Sequence, residues 1–360
     1  MAALYSSFYL VDVGGSPHYM IKEIHEEPYI LKSIWEAQRR RISSIASRIA
    51  GSRIYIVGSG SSYNAGLMFH YALSFHVRVP SIVVSSGEYS YYGGIISRGD
   101  SVIAISQSGY TRDTLYAAER ARDSGARVIA VTNNPDSPLA RISGDVIELM
   151  AGREEAITAT KTFTAQLYVL LILTSEISRI SGGGAIEGLD QMPRVLLASI
   201  STLEPIARRI SADIYRYNSS FTIGEGFGYA VAREAALKLK EASGVHAEAI
   251  QISEARHGPK TIIGRSLPVY CNIFTQSDLD SASNLARDIT STGAPMYVVS
   301  SIEVDRDVEG VSREVIRIPS IRGASISIIA SSFYQLLSYY IAIARLLDPD
   351  MPRMLSKVVT

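Results

Sequence analysis

The sequence has little cysteine, little tryptophan and no net charge. One cysteine and one tryptophan occur among 360 residues, and 35 Lys and Arg residues balance 35 Asp and Glu residues. A single cysteine excludes an internal disulfide and any zinc site built from several thiolates. Cys271 lies in the apolar run 267–274, so we expect a buried structural thiol in a protein of the reducing cytoplasm. Zero net charge provides no basic field, so we expect neither nucleic acid nor a membrane surface as a partner.

The sequence also has few charge-free stretches long enough to cross a bilayer. One runs from Arg322 to Arg345, but its serines, glutamine and tyrosines indicate a helix buried in the protein core or in a subunit interface. Residues 1–19 hold a short apolar stretch that no basic region precedes and that Asp12 interrupts. We interpret them as an N-terminal extension and not as a signal peptide.

An internal repeat defines the organisation of the chain, because four strand-like segments recur in the same order at nearly constant spacing. The pairs are IYIVGSG (54–60) with FTIGEGF (221–227), SVIAISQS (101–108) with VYCNIFTQS (269–277), GARVIAVT (125–132) with GAPMYVVS (293–300), and DVIEL (145–149) with EVIRI (314–318). We therefore predict two domains of the same fold, with a glycine-rich linker at 181–184. The predicted segments are the extension 1–19, domain one at 20–184, domain two at 185–345, and a C-terminal tail at 346–360.

Each half alternates short β-branched runs with segments of helical periodicity. This alternation is typical of βαβ units around a buried parallel sheet, so we predict an α/β fold in which helices flank each sheet in a three-layer, flavodoxin-like arrangement. The charge-free segments 162–175 and 324–344 fall at equivalent ends of the two halves. Their equivalence favours the interpretation of both as core helices.

The loops that follow the predicted strands of the first half are rich in small hydroxyl residues. These loops are 58–63, 106–111 and 158–162. Small hydroxyl residues at helix N-termini suit a phosphate group, whereas any single one of these loops is also explained as an ordinary helix cap. A nucleotide site is disfavoured, because the first loop has no Walker lysine and has Tyr63 where a dinucleotide fingerprint needs glycine.

Six segments together resemble the isomerase half of glucosamine-6-phosphate synthase, which is built from two sugar isomerase (SIS) domains. They are VGSGSSYNAG, ISQSGYTRDT, AITATKTFTAQ, EAALKLKEASGVHAEA, SEARHGP and PRMLSKVV, and the resemblance spans residues 20–360. The synthase also carries an N-terminal glutaminase domain with a nucleophilic cysteine, and we see no counterpart in this sequence. We therefore expect a stand-alone form similar to archaeal-type glucosamine-6-phosphate deaminases.

The resemblance implies four catalytic residues. Glu241 would move the proton between C1 and C2 of the sugar, with Lys238 three residues earlier on the same helical face, although an isolated pair of this kind is usually a solvated ion pair. His257 would open the sugar ring and would be presented to the neighbouring subunit, which implies a homodimer; His246 is the second choice. Lys357, in a tail that closes over the substrate, would form a Schiff base with the keto sugar.

The resemblance also implies the substrate contacts. The phosphate would be bound by Ser106, Gln107, Ser108 and Thr111, and the phosphate or sugar by Ser61, Ser62, Ile157 and Thr158. The tail departs from the synthase pattern at Met354, where asparagine is usual, and at Val358. The six histidines show no metal-ligand spacing, and we interpret His70 and His76 as partly buried residues of the first long helix, so we expect neither a metal nor a cofactor.

Three functions fit these residues. The leading hypothesis is conversion of glucosamine 6-phosphate and water into fructose 6-phosphate and ammonia, with the reverse reaction when ammonia is abundant. The alternative is an aldose-ketose isomerase of glucose or mannose 6-phosphate without ammonia chemistry. Lys357 favours the first, because hydrogen shuttling alone needs no Schiff base. A sugar-phosphate sensor is the third, but such regulators normally carry a DNA-binding helical domain that the first twenty residues would not hold.

Overall fold

Two parallel five-stranded sheets form the framework of the computed structural model, which describes residues 15–357. The first sheet has the order β2-β1-β3-β4-β5 and the second the order β10-β9-β8-β6-β7. The strands are Ile54–Gly58 (β1), Ser81–Ser85 (β2), Ser101–Ile105 (β3), Arg127–Thr132 (β4), Asp145–Glu148 (β5), Ser219–Gly224 (β6), His246–Gln251 (β7), Val269–Ile273 (β8), Met296–Ser300 (β9) and Ser312–Arg317 (β10). In strand sequence the two orders are the same, which confirms the α/β class and the repeated fold.

Twelve α-helices connect and cover these strands in the described part of the chain. They are Tyr19–Ile49 (α1), Ser61–His76 (α2), Tyr89–Tyr92 (α3), Arg112–Asp123 (α4), Pro138–Ile142 (α5), Lys161–Ile180 (α6), Met192–Ile214 (α7), Phe227–Ser243 (α8), Ile252–Ala255 (α9), Gln276–Ile289 (α10), Arg306–Val311 (α11) and Ile326–Ala344 (α12). His70 and His76 are partly buried, as expected, but they lie on α2. The first long helix is instead α1, which contains 31 residues and tolerates Pro28 in its interior.

The central strands are apolar on both faces because helices cover both. Every residue of β1, β3, β8 and β9 is buried. A parallel sheet enclosed in this way needs continuous apolar strands, which is the pattern of the sequence. The Cys271 side chain in β8 is fully buried, as expected, and burial raises the pKa of its thiol.

Long helices from both halves share one hydrophobic core between the sheets. Helix α1 packs on α6 and α7, α12 packs on α7 and α8, and α2 packs on α6 and α8. Two helical segments, Lys161–Ile180 and Gly323–Ala344, are long and apolar enough to cross a membrane, yet 89% of each tested window is buried inside the protein. Both are therefore core helices, as the sequence analysis predicts, in an α/β fold of the soluble type.

Helix α12 uses its polar side chains inside this core. Ser332 donates a hydrogen bond of 2.7 Å to Glu27 of α1, and Tyr334 donates one of 3.0 Å to Asn272 of β8. Burial raises the pKa of Glu27 to about 8, against the hydrogen bonds from Ser332 and Thr164, which lower it. The polar residues of the charge-free segment thus bind protein groups in the core.

The end of the chain returns to its beginning. The Asp350 carboxylate accepts hydrogen bonds from the backbone N–H groups of Tyr19 and Met20, at 2.8 and 2.7 Å. Met354 has a φ of 61°, a left-handed conformation that asparagine adopts more readily than methionine. Methionine in place of the usual asparagine is therefore the less favourable residue for the backbone at this position. Val358 and the first fourteen residues of the predicted extension lie outside the described residues.

Candidate active site

The candidate site lies where the strand order of the first sheet changes direction. From β1 the chain continues to β2 on one side and then to β3 on the other, and both strands pair with β1. Ligands of such sheets bind outside the carboxyl ends of the strands at this point. The loops 58–61 and 106–111 therefore lie at the same edge of the sheet, beside each other.

The loop 106–111 presents hydroxyl groups at the start of α4. The hydroxyl groups of Ser106 and Thr111 are 3.0 Å apart, and Gly109 N donates to Ser106 Oγ at 3.1 Å. Gly109 has a φ of 70°, and a Cβ there would lie 2.1 Å from Ser137 Oγ, so only glycine fits this turn. The four residues proposed to bind phosphate, Ser106, Gln107, Ser108 and Thr111, are thus brought together where the dipole of α4 favours an anion.

Helix α8 brings three charged residues to the start of α2. Lys238 is fully buried, and its Nζ lies 2.6 Å from Glu241 Oε2, 3.3 Å from Glu234 Oε1 and 3.1 Å from Ser61 Oγ. Ser61 and Asn64 each donate a hydrogen bond of 2.8 Å to Glu234. The pair of Lys238 and Glu241 is therefore part of a buried network between the two halves, which rules out the interpretation as a solvated surface ion pair.

The charges of this network determine what each group can do. Burial by itself lowers the pKa of Lys238, but the carboxylates of Glu234 and Glu241 outweigh it and raise that pKa, so the amine stays an ammonium ion. Burial raises the pKa of Glu234, against the effect of Lys238. The Glu241 side chain is the most accessible of the three, at 19% exposed. Glu241 is thus suited to exchange a proton with a ligand, and Lys238 to hold it in place.

A second buried network surrounds Lys357 of the tail. Its amine donates a hydrogen bond of 2.6 Å to Glu154 and another to the carbonyl oxygen of Ala156. Glu154 also accepts hydrogen bonds from Thr160 N at 3.0 Å and from Thr162 Oγ1 at 2.7 Å. Burial raises the pKa of Glu154, but the charge of Lys357 and these hydrogen bonds outweigh it and lower that pKa, so the carboxylate is ionised.

Helix α1 holds the same loop from the other side. The Glu23 carboxylate accepts hydrogen bonds from the backbone of Glu155 at 2.5 Å and of Ala156 at 3.3 Å, and lies 3.7 Å from Lys161 Nζ. Burial and the nearby charge of Glu154 raise the pKa of Glu23 to about 7. The loop that leads to the proposed sugar contacts Ile157 and Thr158 is thus fixed by α1 and by the tail.

Helix α6 joins the two networks. Gln166 Nε2 donates a hydrogen bond of 3.0 Å to Ser62 Oγ, next to Ser61 of the first network. Gln166 lies one helical turn after Thr162, which binds Glu154 of the second network. Helix α6 therefore contacts both networks. We name the region that the two networks flank the crevice, and the expectation that Lys238, Glu241 and Lys357 act there as one site stays a prediction.

Several buried polar atoms on or beside α6 have no protein partner within residues 15–357. They are Thr158 Oγ1, Thr160 Oγ1, Gln166 Oε1 and Gln335 Oε1. Buried polar atoms normally have a hydrogen-bond partner, so a ligand rich in hydroxyl groups or ordered water fits this region.

The candidate histidines lie apart from these networks. His257 follows α9 at the carboxyl end of β7, is exposed, and its imidazole forms no hydrogen bond or ion pair among the residues that the structure describes. His246 is exposed at the start of β7. Neither is brought to Glu241 within one chain, so a ring-opening role for His257 requires a second subunit.

Three site residues escaped the sequence analysis. Glu234 could have been found from its spacing, because it precedes Lys238 by four residues and Glu241 by seven on one face of α8. No spacing in the sequence indicates Glu23 or Glu154, because their carboxylates come together only when α1 packs on α6. No group of three or more His, Cys, Asp or Glu side chains in the described ranges could hold a metal ion.

Comparison with known proteins identifies this architecture. Residues 49–175 match the SIS domain family. Glutamine–fructose-6-phosphate aminotransferase (isomerizing) of Aeropyrum pernix is 37% identical over 96% of this chain. The chain spans 58% of that relative's length.

Solved structures extend the likeness. The C-terminal domain of glucosamine-fructose-6-phosphate aminotransferase from Francisella tularensis is 27% identical with a TM-score of 0.85, over 94% of this chain and 99% of that domain. Glucosamine-6-phosphate deaminase from Thermotoga maritima shares the fold, at 24% identity and a TM-score of 0.77, over 95% of this chain and 99% of the other.

Residues 49–175 of the chain form a domain of the SIS family. Along nearly its whole length the chain is related to the isomerase half of the glutamine–fructose-6-phosphate aminotransferases.

Proposed function

We propose that the chain interconverts glucosamine 6-phosphate and fructose 6-phosphate, with release or uptake of ammonia. The observation that carries this proposal is the position of Lys357. The tail delivers this amine to the buried carboxylate of Glu154, beside the loop of Ile157 and Thr158. A lysine at the sugar favours imine chemistry, because its amine can exchange with ammonia at C2, whereas hydrogen transfer alone needs no such amine.

The reaction can be assigned to these residues step by step. His257 of a second subunit opens the sugar ring, and Glu241 moves the proton from C2 to C1, which gives an imine at C2. The Lys357 amine adds to C2 and ammonia leaves, so that C2 is now bound to Lys357 Nζ as an imine. Water adds to that imine, the amine departs, and fructose 6-phosphate remains, so one water is consumed for each ammonia released.

Two arrangements support the binding part of this scheme. The hydroxyl groups of Ser106 and Thr111 at the start of α4 suit the 6-phosphate, which fixes the far end of the sugar. Lys238 of α8 donates to Glu241 and to Ser61 of α2, and so holds the Glu241 carboxylate in place. A homodimer is part of the proposal, because His257 lies apart from the networks of its own chain. A cytoplasmic location is also part of it, since the single buried cysteine suits a reducing compartment.

The test measures ammonia and fructose 6-phosphate released from glucosamine 6-phosphate, with isomerisation of glucose 6-phosphate in parallel. We expect equal amounts of ammonia and ketose. In Lys357→Ala, ammonia release should fall by about a hundredfold or more, while exchange of the C1 proton of fructose 6-phosphate with deuterated water falls much less. Lys32→Ala, an exposed lysine of α1, is the matched control. Isomerisation of glucose 6-phosphate without ammonia would favour the isomerase alternative, and equal loss of both activities in Lys357→Ala would refute the imine.

A further inference from the structure

The tail that carries Lys357 is fixed at a second point, Asp350. Both oxygens of the Asp350 carboxylate accept hydrogen bonds from the first turn of α1, and Asp350 O accepts one from Ile157 N at 2.9 Å. We propose that Asp350 is a positioning residue for Lys357, a role that rests on the proposed imine chemistry of that lysine. Asp350 would hold the tail across the crevice so that the amine meets the sugar.

The cap of α1 is unusual in its origin. Helices normally receive a side-chain cap from the residue just before them, which here is His18. The His18 ring lies instead 3.1 Å from the hydroxyl of Tyr339 in α12, and the cap comes from a carboxylate at the other end of the chain. A local cap would serve α1 equally well, so the long-range cap indicates that the tail itself is being held.

The two fixed points of the tail act on one loop. Asp350 binds Ile157, and Lys357 binds Glu154 and Ala156, so both contacts lie on the loop that precedes α6. Glu23 of α1 holds the same loop three residues beyond the capped Met20. Helix α1, the loop and the tail therefore contact one another, and loss of the Asp350 carboxylate removes two hydrogen bonds between the tail and α1.

The physical consequence is a change in the effective concentration of the amine. A tail fixed at both points keeps Lys357 Nζ within reach of the crevice, whereas a tail that lacks the Asp350 carboxylate keeps only the backbone contact with Ile157 and holds the amine there for a smaller fraction of the time. Loss of a carboxylate cap shifts such an equilibrium by about tenfold. The loss should act on the lysine step and should leave proton transfer by Glu241 largely intact.

The experiment is a double-mutant cycle in the full chain. Ammonia release from glucosamine 6-phosphate is measured for the unmodified protein, Asp350→Ala, Lys357→Ala and the double variant. We expect kcat to fall by about tenfold in Asp350→Ala, with little change in the KM for glucosamine 6-phosphate. In the Lys357→Ala background the same change should have no further effect, because the amine that Asp350 positions is gone. An equal fold-loss in both backgrounds would overturn the proposal, since Asp350 would then act on general structure.

Two further measurements keep the proposal falsifiable. Hydrogen exchange should accelerate in Asp350→Ala at residues 19–22 and 351–357, and this readout needs no turnover. Asp350→Asn, which keeps one acceptor oxygen, should be intermediate in both readouts. Asp305→Ala, which removes the side-chain cap of α11 in the second half, is the control and should leave kcat unchanged. Unchanged hydrogen exchange in the tail of Asp350→Ala would refute the positioning role. Full activity of Lys357→Ala would refute the proposed imine step of Lys357, but not the contact of Asp350 with α1.

Discussion

The two sheets have the same strand order but different chemistry at the equivalent crevice. In the first sheet the loops after β1 and β3 carry hydroxyl groups, with Ser61 at the start of α2 and Thr111 just before α4. In the second sheet the loops after β6 and β8 carry Glu225 and lead to Asp278, and both carboxylates accept backbone N–H groups. Asp278 lies in the first turn of α10, and a carboxylate at that position repels phosphate.

This difference divides the work between the two halves. We propose the anion site in the first half, whereas in the second half the carboxylates of Glu225 and Asp278 occupy the corresponding loops. The second half contributes α8 instead, whose charged face crosses to the start of α2 in the first half. In the proposed function, the repeated fold therefore supplies one phosphate site and one set of ionisable residues, and the reaction needs both.

The largest expected effect comes from the contribution of the second half. Glu241→Gln keeps the size of the side chain and its contact with Lys238 but cannot accept a proton, so kcat for release of ammonia should fall by about a thousandfold. Binding of fructose 6-phosphate, measured by calorimetry, should stay within about threefold, because the phosphate is proposed to bind the other half. Loss of binding along with turnover would mean that the division between the halves is wrong.

An intermediate effect should follow when a carboxylate, as found in the loops of the second sheet, is introduced into the loop after β3 of the first sheet. Ser106→Asp places a carboxylate where the phosphate is proposed to bind, and the Kd for fructose 6-phosphate should rise by about a hundredfold. Ser277→Asp, at the start of α10 in the second half, is the matched control and should change this Kd by less than about twofold. The difference between the two variants should shrink in high salt, because part of the repulsion is screened. Equal effects of the two substitutions would contradict the assignment of the phosphate to the first half.

The fold could be predicted from the sequence because its signals are local and repeated. Gly58 and Gly224 illustrate this: a Cβ at either would lie within 2.9 or 2.2 Å of the backbone of the following helix, so the strand-glycine-helix turn appears twice. The apolar strands and the charge-free core helices carry equally direct signals. Helix α1 escaped notice as a separate element, because it precedes the first unit of the repeat and contains Pro28.

The candidate site was predictable only where its residues are close in sequence. Lys238 and Glu241 share a helical face, and the phosphate residues share one loop, so their spacing carries the information. Glu154 and Lys357 meet across 203 positions, and Asp350 and Met20 across 330, which no spacing rule reaches. Lys357 itself came from the family resemblance and not from its surroundings. Long-range contacts of this kind depend on how the helices pack, and a single sequence does not specify that packing locally.

The smallest expected effect concerns the side chain that closes the second crevice. Asp278 accepts hydrogen bonds from Phe274 N and Thr275 N, both at 2.9 Å, and Thr275 Oγ1 accepts one from Asp278 N in return. Removal of this capping box in Asp278→Ala should lower the free energy of unfolding by about 1 kcal/mol, measured in urea, with no change in the Kd for fructose 6-phosphate. Thr111→Ala in the first half is the matched variant and should behave in the opposite way. Its hydroxyl does not cap α4 within the described chain, so affinity should fall while stability changes by less than about 0.5 kcal/mol. Asp278→Ala could instead create a second site for fructose 6-phosphate. That result would mean that the Asp278 carboxylate prevents anion binding in the second half, and that a few side chains account for the difference between the two halves.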